Sequence, residues 1–357
     1  MSRFFSYRHT SLAPYTPGEQ PQDMLYTKLN TNESPFPPSP AVVRAAEREA
    51  GRLQLYSDPA CNALRAAAAA HYGVGPENIM AVNGSDEALY FAFHAFGDEK
   101  HPFAFPDITY GFYPVYADVL HIPAHILPVG EDLAIDPADY LGLGENIVLA
   151  NPNAPTGQLL GTADIRRILL SNPDSVVVVD EAYINFGGES CVPLISEFDN
   201  LLVVQTFSKS HSLAGGRLGF AIGPEALIRD LNTLRYAANP YNVNRMTQAA
   251  GIAALEDNEY YMENCRVIRE TRQYTAEALK TMGFEVLPSM ANFVFARADR
   301  LPGGELYRSL KERGVLVRWF DLPRIRDYVR ITIGSREQMD ILLSAIEAIF
   351  DERSRKS

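Results

Sequence analysis

Val176-Val177-Val178-Val179-Asp180-Glu181-Ala182-Tyr183 is the stretch on which the fold turns. Four β-branched residues in a row, with no polar alternation, predict a strand buried on both faces, as in a parallel sheet covered by helices. Two acids follow at once. A carboxylate at the end of such a strand sits near the buried layer, where an unpaired charge is costly, so Asp180 is expected to have a cationic partner.

Outward from this run, short apolar segments at residues 79–82, 103–105, 147–150, 201–204 and 218–222 alternate with helical stretches. Together they predict an α/β fold: a large domain with a mostly parallel central sheet flanked by helices. A long helical region over roughly 243–282 follows. Strand-like segments at 284–287, 293–296, 315–318 and 328–333 and a last helix over 336–350 predict a smaller α+β domain. Residues 1–40 hold seven prolines and little periodicity, which marks an extended arm. The expected division is an arm (1–40) giving contacts to the small domain and a dimer, a large domain (41–240) and a small one (241–357).

The 357 residues suffice for more than one core, since single cores stop growing near ~250–300 residues. A net charge of −12 argues against a nucleic-acid or membrane-surface binder, whose footprint would be basic. Cys61, Cys191 and Cys265 are far apart and in no metal-ligand spacing, so reduced thiols are expected instead of disulfides or zinc. Residues 1–10 lack the apolar stretch of a signal peptide, and no apolar run approaches the ~18 residues of a membrane span. A cytoplasmic protein is expected.

In open α/β sheets, ligands bind beyond the carboxyl ends of the strands. There this chain carries Asn83-Gly84-Ser85-Asp86-Glu87, Asn151-Pro152-Asn153-Ala154-Pro155-Thr156-Gly157, Asp180 with Tyr183, and Thr206-Phe207-Ser208-Lys209 with Arg217. Taken singly, each has a plain reading: a turn, a helix N-cap, a solvated lysine, a surface arginine. Taken together they supply a lysine for a Schiff base, a buried acid for a pyridinium and a helix N-terminus for a phosphate, the parts that pyridoxal phosphate requires.

The order of that Asn-Pro-containing turn, Asp180-Glu181-Ala182-Tyr183, and Ser208-Lys209 with Arg217 eight residues on resembles the fold-type I aminotransferases. Within them, Leu29-Asn30-Thr31-Asn32-Glu33-Ser34-Pro35, Gly84-Ser85-Asp86-Glu87, Thr109-Tyr110-Gly111 and Val329-Arg330-Ile331-Thr332-Ile333-Gly334 resemble the histidinol-phosphate aminotransferase family. The likeness spans about residues 12–350. It implies a homodimer that moves an amino group between a small amino donor and a 2-oxo acid, with pyridoxal phosphate held as an internal aldimine on Lys209. By the same resemblance, Asp180 keeps the ring nitrogen protonated, Tyr183 bonds the phenolic oxygen and Tyr110 stacks on the ring. Gly84, Ser85, Asp86, Thr206, Ser208 and Arg217 hold the phosphate. Tyr15, Asn32, Arg318 and Arg330 face substrate, and Tyr56 reaches the neighbouring subunit's cofactor. Ala154 stands where the family has Asn, so Asn153 is the candidate for the phenolic-oxygen contact. Ser34 likewise replaces the commoner Asn before Pro35.

Threonine-phosphate decarboxylases resemble the same motifs, and an aromatic amino-acid aminotransferase is a further alternative. A dinucleotide oxidoreductase is rejected because no GxGxxG follows a strand. A cofactor-binding transcription regulator is rejected because the proline-rich arm cannot form a helix-turn-helix.

Overall fold

The structure, a computed structural model, describes residues 2–356. Its larger sheet has seven strands in the order Ala124–Leu127, Phe103–Pro106, Asn146–Ala150, Val177–Asp180, Leu201–Thr206, Gly219–Ile222, Ile79–Val82, read from one edge with Phe103–Pro106 second. The first five run parallel, and Gly219–Ile222 is antiparallel to both its neighbours. The central strands are buried throughout because alternate side chains enter different cores. Val177 and Val179 pack with Leu64, Ile165 and Ala254 on one face, and Val178 packs with Leu89, Phe93 and Tyr113 on the other. This is why the valine run shows no alternation: the strand has no wet face.

The second sheet is antiparallel throughout, in the order Arg318–Trp319, Tyr328–Thr332, Phe293–Ala298, Phe284–Val286. Helices Gly303–Glu312, Arg336–Lys356 and Asn258–Thr281 close its core, where Cys265, Leu310, Leu342 and Ile346 meet Val294 and Ile331. Helix Asn258–Thr281 also sends Tyr261 into a core of the first sheet and so links the two sheets.

Three elements differ from expectation. The apolar run at 315–318 is divided. Val315–Leu316 pairs in parallel with Thr27–Lys28 of the arm, while Arg318–Trp319 joins the second sheet, so the arm is stitched to the C-terminal part of the chain. The region 243–282 is two helices, Arg245–Glu256 and Asn258–Thr281, separated at Asp257. The edge strand Ala124–Leu127 is mostly exposed and lacks the apolar run that marks the other strands. Among the described residues no helix is long and apolar enough to cross a membrane.

Candidate active site

A cavity of about 440 Å³ opens at the carboxyl ends of the parallel strands. Ala150, Asp180 and Thr206 reach it from three strand ends, Ser85 and Asp86 from the start of helix Ser85–Phe96, and Lys209 and Arg217 from the loop after Leu201–Thr206. The arm contributes Tyr15, Thr31 and Asn32, and the second sheet Arg318 and Arg330. Parts of the chain 315 residues apart, Tyr15 and Arg330, thus wall one space.

Asp180 is 4% exposed. Its Oδ2 accepts from the Tyr113 hydroxyl at 3.1 Å and its Oδ1 from the Ala182 N–H at 3.2 Å. Burial pushes its carboxyl up to about 7; the two hydrogen bonds oppose that, and Asp86 and Glu181 add to it. No cationic side chain is among these contacts: a phenol and a backbone N–H hold the carboxylate.

Lys209 donates from Nζ to the Thr31 carbonyl at 2.9 Å. Burial, then the positive charge of Arg330, depresses its ammonium to about 8, against the opposing pull of Glu33 and Asp86. The turn that offers Thr31 is braced by Glu33, which accepts from Lys28 at 2.6 and 2.7 Å and from the Thr31 hydroxyl at 2.8 Å.

At one end of the cavity Arg217 lies 3.3 Å from Asp86 Oδ2 and 3.4 Å from Ser208 Oγ, while the Thr206 hydroxyl reaches Ser208 Oγ at 2.9 Å. Asp86 Oδ1 also accepts from Tyr110 at 2.7 Å. Helix Ser85–Phe96 has no side-chain cap, so its open end keeps N–H groups for an anion. Gly84 stands behind it, outside the cavity lining, at φ +77, and a Cβ there would meet the Arg217 guanidinium. Glycine gives both the backbone angle and the clearance.

At the other end Arg330 donates to the Asn30 carbonyl at 3.1 Å, while its buried Nε has no partner. Arg318 donates to the Thr16 and Pro17 carbonyls at 2.9 and 3.1 Å. Phe320 is near both, its ring centroid 5.2 Å from the Arg318 guanidinium carbon and 5.6 Å from that of Arg330. Tyr15 stacks on Phe112 at 4.1 Å and lies 6.1 Å from Tyr110. Asn32, at φ +57, donates to the Tyr183 hydroxyl at 2.9 Å and accepts from Thr332 at 2.9 Å.

This chain is 47% identical over 354 residues to histidinol-phosphate aminotransferase 2 of Dechloromonas aromatica, 98% of this chain and 99% of that one. The histidinol-phosphate aminotransferase of a Marinomonas strain is 47% identical over 353 residues, 98% of this chain and 100% of that one. The family model for aminotransferase class I and II matches residues 26–346. The chain belongs to the class I and II aminotransferases. The crystal structure of the Sinorhizobium meliloti histidinol-phosphate aminotransferase in complex with pyridoxal 5′-phosphate superimposes with a TM-score of 0.83, at 25% identity, over 91% of each chain. This protein is accordingly a pyridoxal phosphate-dependent aminotransferase of fold-type I.

Besides Gly84, two residues singled out in the sequence lie away from the cavity. Asn153 is 1% exposed and does not line it. Its Oδ1 accepts from Thr109, and its Nδ2 donates to the Ile108 carbonyl and to Thr156. That expectation is corrected: the side chain braces two loops, and Ala154 and Pro155 take the place on the cavity wall. Tyr56 is 78% exposed and stacks on Tyr241 at 4.4 Å, outside the cavity of its own chain. The structure adds residues whose place at the site went unread: the Thr31 carbonyl, Glu33, Phe320 and Tyr113. Tyr113 lies three residues after Tyr110, and the two rings meet edge-on at 5.7 Å.

With the Lys209 ammonium depressed to about 8, its amine is uncharged in a useful fraction near neutral pH. In cofactor-free protein, reductive methylation of Lys209, followed by peptide mass mapping over pH, should reach half its maximal rate near about 8. Arg330→Gln removes a nearby positive charge and should move that midpoint upward. A midpoint near the ordinary lysine value of 10.5 in both proteins would contradict this electrostatic picture.

Proposed function

We propose that this enzyme transfers the amino group of histidinol phosphate to 2-oxoglutarate. The carrying observation is the pair Arg318 and Arg330, both lining the cavity beside Phe320, which gives cationic recognition points for two anionic groups in an acidic chain. The names of the 47% identical relatives favour the same substrate.

The donor set fits pyridoxal phosphate: an anion-ready helix end beside Arg217 and Ser208, a buried acid without a cation, and a buried lysine of depressed pKa. Ser85 and Asp86, positioned by Gly84, would hold the phosphate together with Thr206, Ser208 and Arg217. Tyr110 would cover one face of the ring. Asp180 would hold a proton at the ring nitrogen, and Tyr183, oriented by Asn32, would bond the phenolic oxygen. When bound, the cofactor supplies a carbonyl carbon for amine exchange and an electron-withdrawing ring. Lys209 Nζ would anchor that carbon and, once released by the substrate amine, take and return the α-proton, for which a pKa near the working pH is suited. The free Nε of Arg330 favours a planar carboxylate partner, which arginine binds bidentately. Tyr15 and Arg318 would hold the phosphate of the amino donor.

The same reading divides the chain into a cofactor-binding unit over 41–240 and a smaller substrate-side unit over 241–357 joined by the arm, 1–40. Helix Arg245–Glu256 belongs by contact with the first, since Ala250, Ala253 and Ala254 pack in its core. The functional unit is proposed to be a homodimer. Tyr56, exposed in its own chain, would reach the partner's cofactor, and the exposed Phe4, Tyr7 and Leu25 of the arm would be covered.

Arg318→Ala should raise KM for histidinol phosphate by ~10-fold or more, as loss of a charge-assisted contact does, and leave the half-reaction with glutamate unchanged. Carbon dioxide release from threonine phosphate without transamination would overturn the reading in favour of a decarboxylase. Equal rates with unphosphorylated histidinol or phenylalanine would indicate a general aromatic aminotransferase. For the dimer, mixing Tyr56→Phe chains with Lys209→Ala chains should give more activity than the sum of the separate proteins, because each hybrid regains one complete site. A mixture no more active than that sum would contradict the shared site.

A further inference from the structure

Tyr113 begins helix Tyr113–Leu120 and is fully buried. Its ring lies edge-on to Phe105 and Tyr110, at 5.9 and 5.7 Å, and parallel to Phe93 at 6.4 Å. In such a pocket a phenylalanine would fill nearly the same space. A buried hydroxyl is costly unless it is bonded, and this one donates to Asp180 Oδ2 at 3.1 Å. Asp180 has one other donor, the Ala182 N–H.

We propose that Tyr113 is a positioning residue of the active site, whose hydroxyl holds the Asp180 carboxylate ionised and oriented, and so keeps the proton on the cofactor's ring nitrogen. The inference rests on the reading of Asp180 given above. The titratable groups that face Asp180 are Tyr113 and Tyr116 from helix Tyr113–Leu120, Asp86 from helix Ser85–Phe96, its neighbour Glu181, and Tyr183. Asp86 and Glu181 both disfavour its charge, as does burial. Of the two groups that favour it, the Ala182 N–H is fixed by the turn after the strand, and Tyr113 is the side chain. Without that hydroxyl the acid keeps its burial and its acidic neighbours and loses half of its hydrogen bonds. A proton shared with a ring nitrogen then moves toward the carboxylate.

The test compares wild type, Tyr113→Phe, Asp180→Asn and the double variant, each titrated as apoprotein with pyridoxal phosphate labelled with nitrogen-15 in the ring. Tyr113→Phe should fold with a near-wild-type melting temperature, bind the cofactor ~10-fold more weakly, and shift the ring-nitrogen resonance toward the unprotonated position. Asp180→Asn should weaken binding further, and adding Tyr113→Phe to it should change nothing more. Wild-type affinity and resonance in Tyr113→Phe, with Asp180→Asn impaired, would overturn this inference alone. The same loss from Tyr113→Phe in both backgrounds would overturn it as well, by assigning Tyr113 to packing. Wild-type affinity and resonance in Asp180→Asn would instead overturn the underlying role of Asp180. Should Tyr113→Phe fail to fold, 3-fluorotyrosine at 113 keeps the ring and strengthens the donor. The resonance should then move toward the protonated position, and an unmoved resonance would overturn the proposal.

Discussion

A carboxylate buried beyond the reach of any cationic side chain at hydrogen-bond distance stands at the end of the strand Val177–Asp180, and the site is organised around it. Burying such a charge is tolerated only when donors are supplied. The fold supplies two from rigid elements: the Ala182 N–H, fixed by the strand end, and the Tyr113 hydroxyl, fixed by an aromatic cluster on one face of the sheet. The carboxyl is still pushed up to about 7. A pyridinium would complete an acid in that condition, so the same burial favours the contact proposed for the cofactor.

A second constraint acts from the opposite side of the cavity. Arg318 donates to the Thr16 and Pro17 carbonyls of the arm, Arg330 gives one N–H to the Asn30 carbonyl, and Thr27–Lys28 pairs with Val315–Leu316. The arm is therefore held by the residues that would meet substrate, and it returns the Thr31 carbonyl to Lys209. Burial first and the Arg330 charge second depress the lysine, so the arginine proposed to take the substrate carboxylate also lowers the basicity of Lys209. This couples the two sheets electrostatically as well as through helix Asn258–Thr281.

The sequence was most legible where one physical demand acts alone. The valine run announces itself because burial on both faces leaves few alternatives, whereas Lys209 with Arg217 and the Gly84-Ser85 helix start become legible only in conjunction. Reading stopped where partners are chosen by tertiary contact. Asp180 calls for a cationic partner, but the side chain that meets it within the protein is a phenol 67 residues away, a neutral donor that avoids burying a second charge. Asn153 was expected in the cavity from its neighbour's position in a motif, but the loop turns its amide toward Thr109 and Ile108. The edge strand Ala124–Leu127 went unseen because exposure leaves a strand without an apolar signature. Positions 315–318 read as one strand because alternation cannot tell which partner each residue pairs with; the arm takes the first pair and the second sheet the next.

Lys209 is the residue proposed to carry the cofactor, and the other roles at the site depend on it. Borohydride reduction of the purified enzyme, followed by proteolysis and mass spectrometry, tests this most directly. A pyridoxyl-phosphate adduct is predicted on the peptide containing Ser208-Lys209, in nearly one equivalent per chain, with the visible absorbance lost in step. An adduct on another lysine, or none on a chain that retains full aminotransferase activity after reduction, would contradict it.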